Sequence, residues 1–385
     1  MDTPMNSVTD EILHRCRERL DSLVRIESPS FDVESSARIA DLLDAWWRDA
    51  GAQTRLVTTG AGVSLIADLP GRGDPVLFVG HSDTVWPHGT LAGEVPLRED
   101  GGILRGPGVY DMKSGLAAML AAVEASTGRD RRAVRVVVVA DEEVGSPTTG
   151  GLLREASAGV SAVLGFESPH PDGALKVGRR GSTRIRLAVT GRAAHAALDP
   201  GAGISAVDEL VDQLLRVRRI VSDPGLPSEV LCNVGSLSGG TRANVVAAEA
   251  EAEIGLRFID AQAQDKVLAE LHALTPLRAG ADVRIEVLSH RPAWAATERD
   301  RDVARRLARA AARVGQQLES RPAAGAGDTN ALGSWGLPTV DGMGPRGGGA
   351  HAVGEHIVLA SLAERIALLT EFLADVDDDV CAEDM

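Results

Sequence analysis

A chain of 385 residues with 44% hydrophobic side chains can bury a sizeable core and divide into two domains. Only 3% of the residues are aromatic, so that core must rest on Val, Leu, Ile and Ala. A formal net charge of −15, from 40 basic and 55 acidic residues, excludes a uniformly basic face for nucleic acid, and no apolar run reaches transmembrane length.

Residues 9–25 carry Ile12, Leu13, Leu20, Leu23 and Val24 near helical spacing, with Thr9 or Asp10 as the N-cap. Residues 35–50 read as a second amphipathic helix, closed by Gly51. Residues 64–69 and 75–80 read as strands. The second lies in VLFVGHSDTVW, residues 76–86, where an apolar run breaks into a polar turn holding His81 and Asp83. By itself this is a strand followed by a polar loop. An imidazole and a carboxylate two residues apart can also build a metal site, because the Asp can take the second ring N–H.

Residues 91–104 are loop and short strand. RGPGVYDMKSG, residues 105–115, then sets Asp111 ahead of an Ala- and Leu-rich helix over 112–126, where an N-cap is the ordinary role. Residues 134–140 are a β-branched run, as expected of a buried parallel strand, ending in Asp141-Glu142-Glu143. Consecutive acids at a buried strand end repel one another unless cations or partners compensate. A solvated acidic turn is the alternative. Residues 150–158 read as a helix, and a strand over 162–166 ends at Glu167. Three apolar strands thus finish in His81/Asp83, Glu142/Glu143 and Glu167, which suits one site at the carboxyl edge of a sheet.

From Arg180 the texture changes. Strands at 183–191, 229–237, 244–258 and 282–289 alternate with helices at 203–221 and 261–277. The order β-α-β-β-α-β is that of a ferredoxin-like α+β insert. A helix at 300–314, glycine-rich turns at 325–330 and 344–351, and a helix at 360–373 follow. The acidic run 375–384 reads as a solvated tail. Cys16, Cys232 and Cys381 are scattered and odd in number, which favours a reducing compartment over a disulfide framework. Without the apolar core of a signal peptide at the N-terminus, a cytoplasmic location is expected.

Together, His81, Asp111, Glu143, Glu167 and His351 offer two imidazoles and three carboxylates, a donor set for two Zn²⁺ ions. Two such ions, about 3.5–4 Å apart, polarise a carbonyl and activate water. Glu142 is left over beside a ligand, where a general base belongs.

The motifs GHSDTV, GPGVYDMKSG, DEEVGS, FES, GRAAHA, NVV with the later Arg257, and GGGAHAVGE occur in that order. Through them the chain, from about Leu13 to Leu373, resembles the co-catalytic zinc exopeptidases and amidohydrolases. That family includes carboxypeptidase G, acetylornithine deacetylase, succinyl-diaminopimelate desuccinylase and aminoacylase, and the glutamate carboxypeptidase-like branch is the nearest. The resemblance implies an α/β, zinc-exopeptidase-like catalytic domain over 1–178 and 290–385, with a mixed, mostly parallel sheet. It implies a dimerisation, or lid, domain over 179–289. His81 and Glu167 would bind one zinc, Glu143 and His351 the other, and Asp111 would bridge them. Asp83 would orient His81, Glu142 would be the base acting on a water between the ions, and the bond after Asp111 would be cis. His195 would reach the other subunit's site to stabilise an oxyanion; from the residues alone it is a surface histidine on a turn. Asn244 and Arg257 would hold the substrate's carbonyl and free carboxylate, joined by Arg291, since a guanidinium meets a carboxylate bidentately. Lys176 would set specificity for a second carboxylate. Asp328-Thr329-Asn330 falls in a loop near the site with no ligating role. Ala197, Ala247, Gly255 and Gly327 depart from the family pattern, in substrate-facing loops rather than at ligands.

The expected activity is hydrolysis of an amide or peptide bond beside a free carboxylate, in an N-acyl amino acid or short peptide. Two Zn²⁺ per chain are expected, with Co²⁺ or Mn²⁺ as alternatives. A dedicated biosynthetic deacylase or desuccinylase would share this chemistry. A non-catalytic binding homologue is disfavoured by the retention of Glu142 and every ligand. A homodimer is expected, and neither nucleic acid nor membrane is an expected partner. No GxxxxGK[ST] loop or helix-opening GxGxxG is present.

Overall fold

Valine-rich strands that lack a polar face must be covered on both sides, and such strands form the centre of the larger of two compact units. The computed structural model describes residues 8–375, so the acidic tail beyond Asp375, with Cys381, lies outside the described residues. One unit comprises Met1–Gly178, Ala296–Ala323 and Gly327–Met385, and the other Arg179–Ala295 with Ala324–Ala326. Among the described residues, no helix is long and apolar enough to cross a membrane.

The first unit holds a six-stranded sheet. Its spatial order is Gln53–Thr59, Gly62–Leu69, Arg132–Val139, Arg72–His81, Ala162–Gly165 and Thr339–Val340. The last four run parallel to one another and the first two are antiparallel, so the sheet is mixed and mostly parallel. Gln53–Thr59 was not expected from the sequence. It is a half-exposed edge strand of polar composition, paired as a hairpin through Thr59 and Gly62.

Helix Asp10–Val24 is capped by Thr9, whose hydroxyl accepts from the Ile12 N–H at 3.3 Å. Helix Val33–Asp49 begins earlier than expected because Asp32 caps it, accepting from Ser35 N–H at 2.9 Å. Helix Ser114–Ala125 is buried from Ser114 to Val123 and packs against Asp10–Val24 and Leu359–Ala374. A helix apolar on every side is stable only in such a position. It starts later than expected because Val109–Lys113 forms a separate wide turn, in which Asp111 has extended backbone angles (φ −123°, ψ 93°).

Two glycines bring this turn against the strand ends. A Cβ on Gly80 would lie 2.6 Å from Met112 Cε, and one on Gly115 would lie 2.4 Å from the Phe166 carbonyl oxygen. Beneath them, Phe78 and Phe166 meet with ring centroids 4.8 Å apart, and both are fully buried. Phe78→Ala is expected to destabilise this unit by about 3–5 kcal/mol, measured by urea denaturation, because the cavity lies between the sheet and its packed helices.

The 325–330 segment departs from expectation. Instead of a simple turn, helix Asp328–Ser334 begins there. Asn330 closes its start, accepting the Gly327 N–H at 2.9 Å, and Leu332 is fully buried.

The second unit is a four-stranded antiparallel sheet in the order Val230–Gly239, Glu249–Phe258, Gly181–Thr190, Asp282–Arg291. With helices Ala206–Val221 and Ala261–His272 it completes the β-α-β-β-α-β connectivity of a ferredoxin-like unit. Ala250, Ala252, Ile254, Leu256 and Phe258 alternate into its core. The strand starts at Glu249 rather than 244, because the preceding residues bond to a loop: the Asn244 carbonyl accepts from Ala196 N–H at 3.0 Å, and Val246 N–H donates to the Ala194 carbonyl at 2.9 Å. The second helix stops at His272, short of Pro276, whose ring disfavours a helical residue before it.

Candidate metal centre

Three parallel neighbours of the large sheet end on one edge. Arg72–His81 ends in His81, Arg132–Val139 runs into Asp141-Glu142-Glu143, and Ala162–Gly165 is followed by Phe166-Glu167. The Val109–Lys113 turn brings Asp111 to the same edge, and the Asp111-Met112 peptide bond is cis. His351 comes from the turn after Gly347–Gly348, with left-handed backbone (φ 61°).

These five side chains converge as two clusters sharing one carboxylate. Asp111 Oδ1 lies 3.2 Å from His81 Nε2, which is also 3.3 Å from Glu167 Oε1. Asp111 Oδ2 lies 3.3 Å from His351 Nε2, which is also 3.1 Å from Glu143 Oε2. In each cluster the three donor atoms lie within 4.8 Å of one another. The clusters differ in access: the His81 side chain is 1% exposed and that of His351 51%.

The tautomer of His81 follows from its surroundings. Nδ1 lies 2.9 Å from the Asp83 carbonyl oxygen, which can only accept, so Nδ1 carries a proton and donates it. The neutral ring then points the Nε2 lone pair at two carboxylates that have nothing to donate. A cation, or a proton, must sit between them. Glu143 Oε1 is buried with no hydrogen-bond partner among the described residues. Two imidazole nitrogens, three carboxylates and an orphaned buried oxygen suit two divalent cations with N and O preferences.

Protons take that place when no cation does. Burial lowers the His81 pKa, but hydrogen bonds with Asp111, Asp83 and Glu167 outweigh it and hold the ring well above the usual imidazole value. Hydrogen bonds with Asp111 and then Glu143 raise His351 to about 10, against a smaller effect of burial. Burial pushes Asp111 up, yet both imidazoles outweigh it and hold its carboxyl well below the usual range. At neutral pH a cation must therefore displace protons from the two histidines, while Asp111 is already ionised. Metal affinity is expected to rise with pH, by up to about tenfold per pH unit for each proton displaced. Calorimetry in buffers of different ionisation enthalpy measures the released protons; binding without proton release would contradict this geometry.

The Asp83 carboxylate organises the acidic turn. It accepts from Glu142 N–H at 3.1 Å, Glu143 N–H at 3.2 Å and the Ser30 hydroxyl at 2.7 Å, with Oδ1 3.4 Å from His81 Nδ1. Its pKa is lowered: burial acts against this, and the His81 contacts prevail. Glu142 is buried beside it, 9% exposed. Lys176 is buried too, with Nζ 3.5 Å from Ser168 Oγ, next to Glu167. Asp328 accepts a hydrogen bond from the hydroxyl of Ser146, on the loop after the acidic turn.

The remaining expected residues belong to the second unit. Arg257 and Arg291 both pair with Ser182, from either side, and so share one level of the sheet. Arg257 also donates to the Ser182 hydroxyl. His195 is exposed, and its Nδ1 accepts from Ala197 N–H at 3.2 Å and Leu198 N–H at 3.1 Å. The neutral ring therefore carries its proton on Nε2 and presents a donor there. Asn244 is exposed on the loop bonded to Ala196. Sequence reasoning missed Ser30 and Glu355; the latter lies within the quoted GGGAHAVGE motif but has no spacing signal of its own.

The model of the peptidase family M20/M25/M40 matches residues 77–375. Carboxypeptidase G2 of a Pseudomonas species is 28% identical over 379 residues, covering 93% of this chain and 88% of that protein. Succinyl-diaminopimelate desuccinylase of Methylorubrum extorquens is 31% identical over 294 residues, covering 68% of this chain and 73% of that protein. Among solved structures, aminopeptidase PepT from Bacillus cereus superposes with a TM-score of 0.73 at 22% identity, covering 96% of this chain and 99% of that one.

Proposed function

The chain belongs to the peptidase family M20/M25/M40, and from that footing we propose a dinuclear zinc hydrolase that releases an amino acid, free carboxylate included, from an N-acyl or peptidyl group. The chemistry is that of a metal-dependent peptidase or amidohydrolase. The observation carrying the dinuclear reading is Asp111, whose two oxygens face two separate His/carboxylate pairs.

His81 and Glu167 would hold one ion, His351 and Glu143 the other, and Asp111 both. When bound, the ions supply Lewis acidity that polarises the scissile carbonyl and lowers the pKa of water. Glu142 takes a proton from the attacking water as its oxygen bonds to the carbonyl carbon. The C–N bond then breaks, and Glu142 returns the proton to the leaving amine nitrogen. Asp83 holds the backbone of Glu142 and Glu143 in place, which supports that assignment. Arg257 and Arg291, level with one another on the sheet, take the free carboxylate, and Asn244 the carbonyl. Lys176 meets a second anionic group. His195 donates from Nε2 to the developing oxyanion in the partner subunit's site.

Pairing of two chains is supported by Val211, Leu215, Leu231 and Leu237, exposed on the Ala206–Val221 helix and the Val230–Gly239 edge strand of the second unit. The thiols of Cys16 and Cys232 are unpaired, which supports a cytoplasmic location.

The test is amino-acid release from a panel of N-acyl amino acids and dipeptides, with Zn²⁺ restored. Absence of turnover across the panel by metal-replete protein would overturn the reading. The desuccinylase relative favours a second reading, a dedicated deacylase. A strict requirement for one acyl group selects the deacylase; a strict requirement for the C-terminal residue selects the carboxypeptidase.

A further inference from the structure

Glu355 follows His351 by four residues, at the end of the same turn, and is fully buried. An ionised carboxylate in such a place is costly unless its lone pairs are filled. Four donors fill them. Oε1 accepts from the backbone N–H groups of Tyr110 at 2.9 Å and Asp111 at 3.1 Å. Oε2 accepts from the Gly108 N–H at 2.9 Å and the Trp86 indole N–H at 2.6 Å.

These donors come from the segments that carry the metal donors. Tyr110 and Gly108 precede the shared Asp111, and Asp111 itself donates. Trp86 lies five residues beyond His81, in the loop leaving the central strand. Glu355 is tied in turn to His351. Ala352 N–H bonds the Gly349 carbonyl, and Glu355 N–H bonds the Ala352 carbonyl, each at 2.9 Å. Gly349 has φ +76°, and a Cβ there would lie 2.7 Å from Gly354 backbone atoms. The turn is tight, so a displacement of Glu355 shifts His351.

The geometry points to Glu355 as a positioning residue that sets Asp111 against His351, so that one carboxylate meets both histidines. This rests on the dinuclear reading above. All four partners are donors, so only a group that accepts at both ends serves here. A glutamine would turn its NH₂ toward two N–H groups and lose at least two of the bonds.

The experiment titrates apo-protein with Co²⁺ and follows stoichiometry, affinity and the visible d–d spectrum, for wild type, Glu355→Gln and Trp86→Phe. Wild type is expected to bind two Co²⁺. Glu355→Gln is expected to bind the weaker ion about 10–100-fold less tightly, with an altered spectrum and a lower kcat at a KM within about threefold of wild type. A purely structural role would lower thermal stability and leave the spectrum and affinity unchanged. A folded Glu355→Gln protein with wild-type affinity and spectrum therefore overturns the proposal. If that variant does not fold, Trp86→Phe decides, because it removes one donor of four. Weaker binding with a shifted spectrum supports the proposal, and unchanged values overturn it. Failure of the dinuclear reading is distinguishable, because wild type itself would then bind fewer than two ions.

Discussion

Glu142→Ala is expected to lower kcat by about two to four orders of magnitude while KM moves only a few-fold and both metal ions remain bound. That loss corresponds to roughly 3–5 kcal/mol of transition-state stabilisation. The reasoning starts from placement. The strand Arg132–Val139 delivers two adjacent acids, and Glu143 is the one in contact with His351. Glu142 is buried beside it with its backbone fixed by Asp83. A base in this position moves a proton twice and binds neither the acyl group nor the carboxylate of the substrate, so its removal appears in kcat. Glu142→Asp would recover part of the rate, because the carboxylate returns at a shorter reach. Steady-state kinetics combined with metal analysis checks this. A kcat within about tenfold of wild type would falsify the assignment.

Asp111→Ala is expected to have the larger effect on loading. Each of its oxygens serves a different cluster, so a single substitution opens both. Loss of outer-shell partners alone typically weakens metal affinity by about 10–100-fold, so removal of a shared ligand is expected to exceed about 100-fold for each ion, with activity lost. His351→Ala is the matched control. It removes one donor from one cluster and leaves His81, Asp111 and Glu167 in place. Metal stoichiometry after dialysis separates the two variants. Equal retention of metal by both would mean that Asp111 is not shared.

Much of the site was legible because three strands end abruptly in polar residues. An apolar run halting at His81, at Glu142-Glu143 or at Glu167 is visible in one dimension. Asp111 and His351 were harder to place, since irregular turns carry them and no periodicity marks either. Donor chemistry put them in the set, and their separate roles came through the resemblance of whole motifs. Glu355 stayed hidden for a different reason. It is one of 55 acidic residues, and the donors that define it are mostly backbone N–H groups, which every residue but proline possesses. In the fold, the strand Gln53–Thr59 escaped notice because an edge position tolerates polar side chains, which blurs the alternation. The helix Asp328–Ser334 escaped because Gly, Asp, Thr and Asn also spell a turn; burial of Leu332 decided between them. Thr9 and Asp32, by contrast, acted as their chemistry dictates at helix starts.

The unequal exposure of the two histidines has a kinetic consequence. A chelator can approach the His351 side of the pair directly, whereas the His81 side is enclosed by the strand ends. Demetallation is then expected in two phases: one equivalent leaves fast, and the second follows on a much longer half-life. A one-metal form would persist between them, long enough to be isolated and assayed on its own.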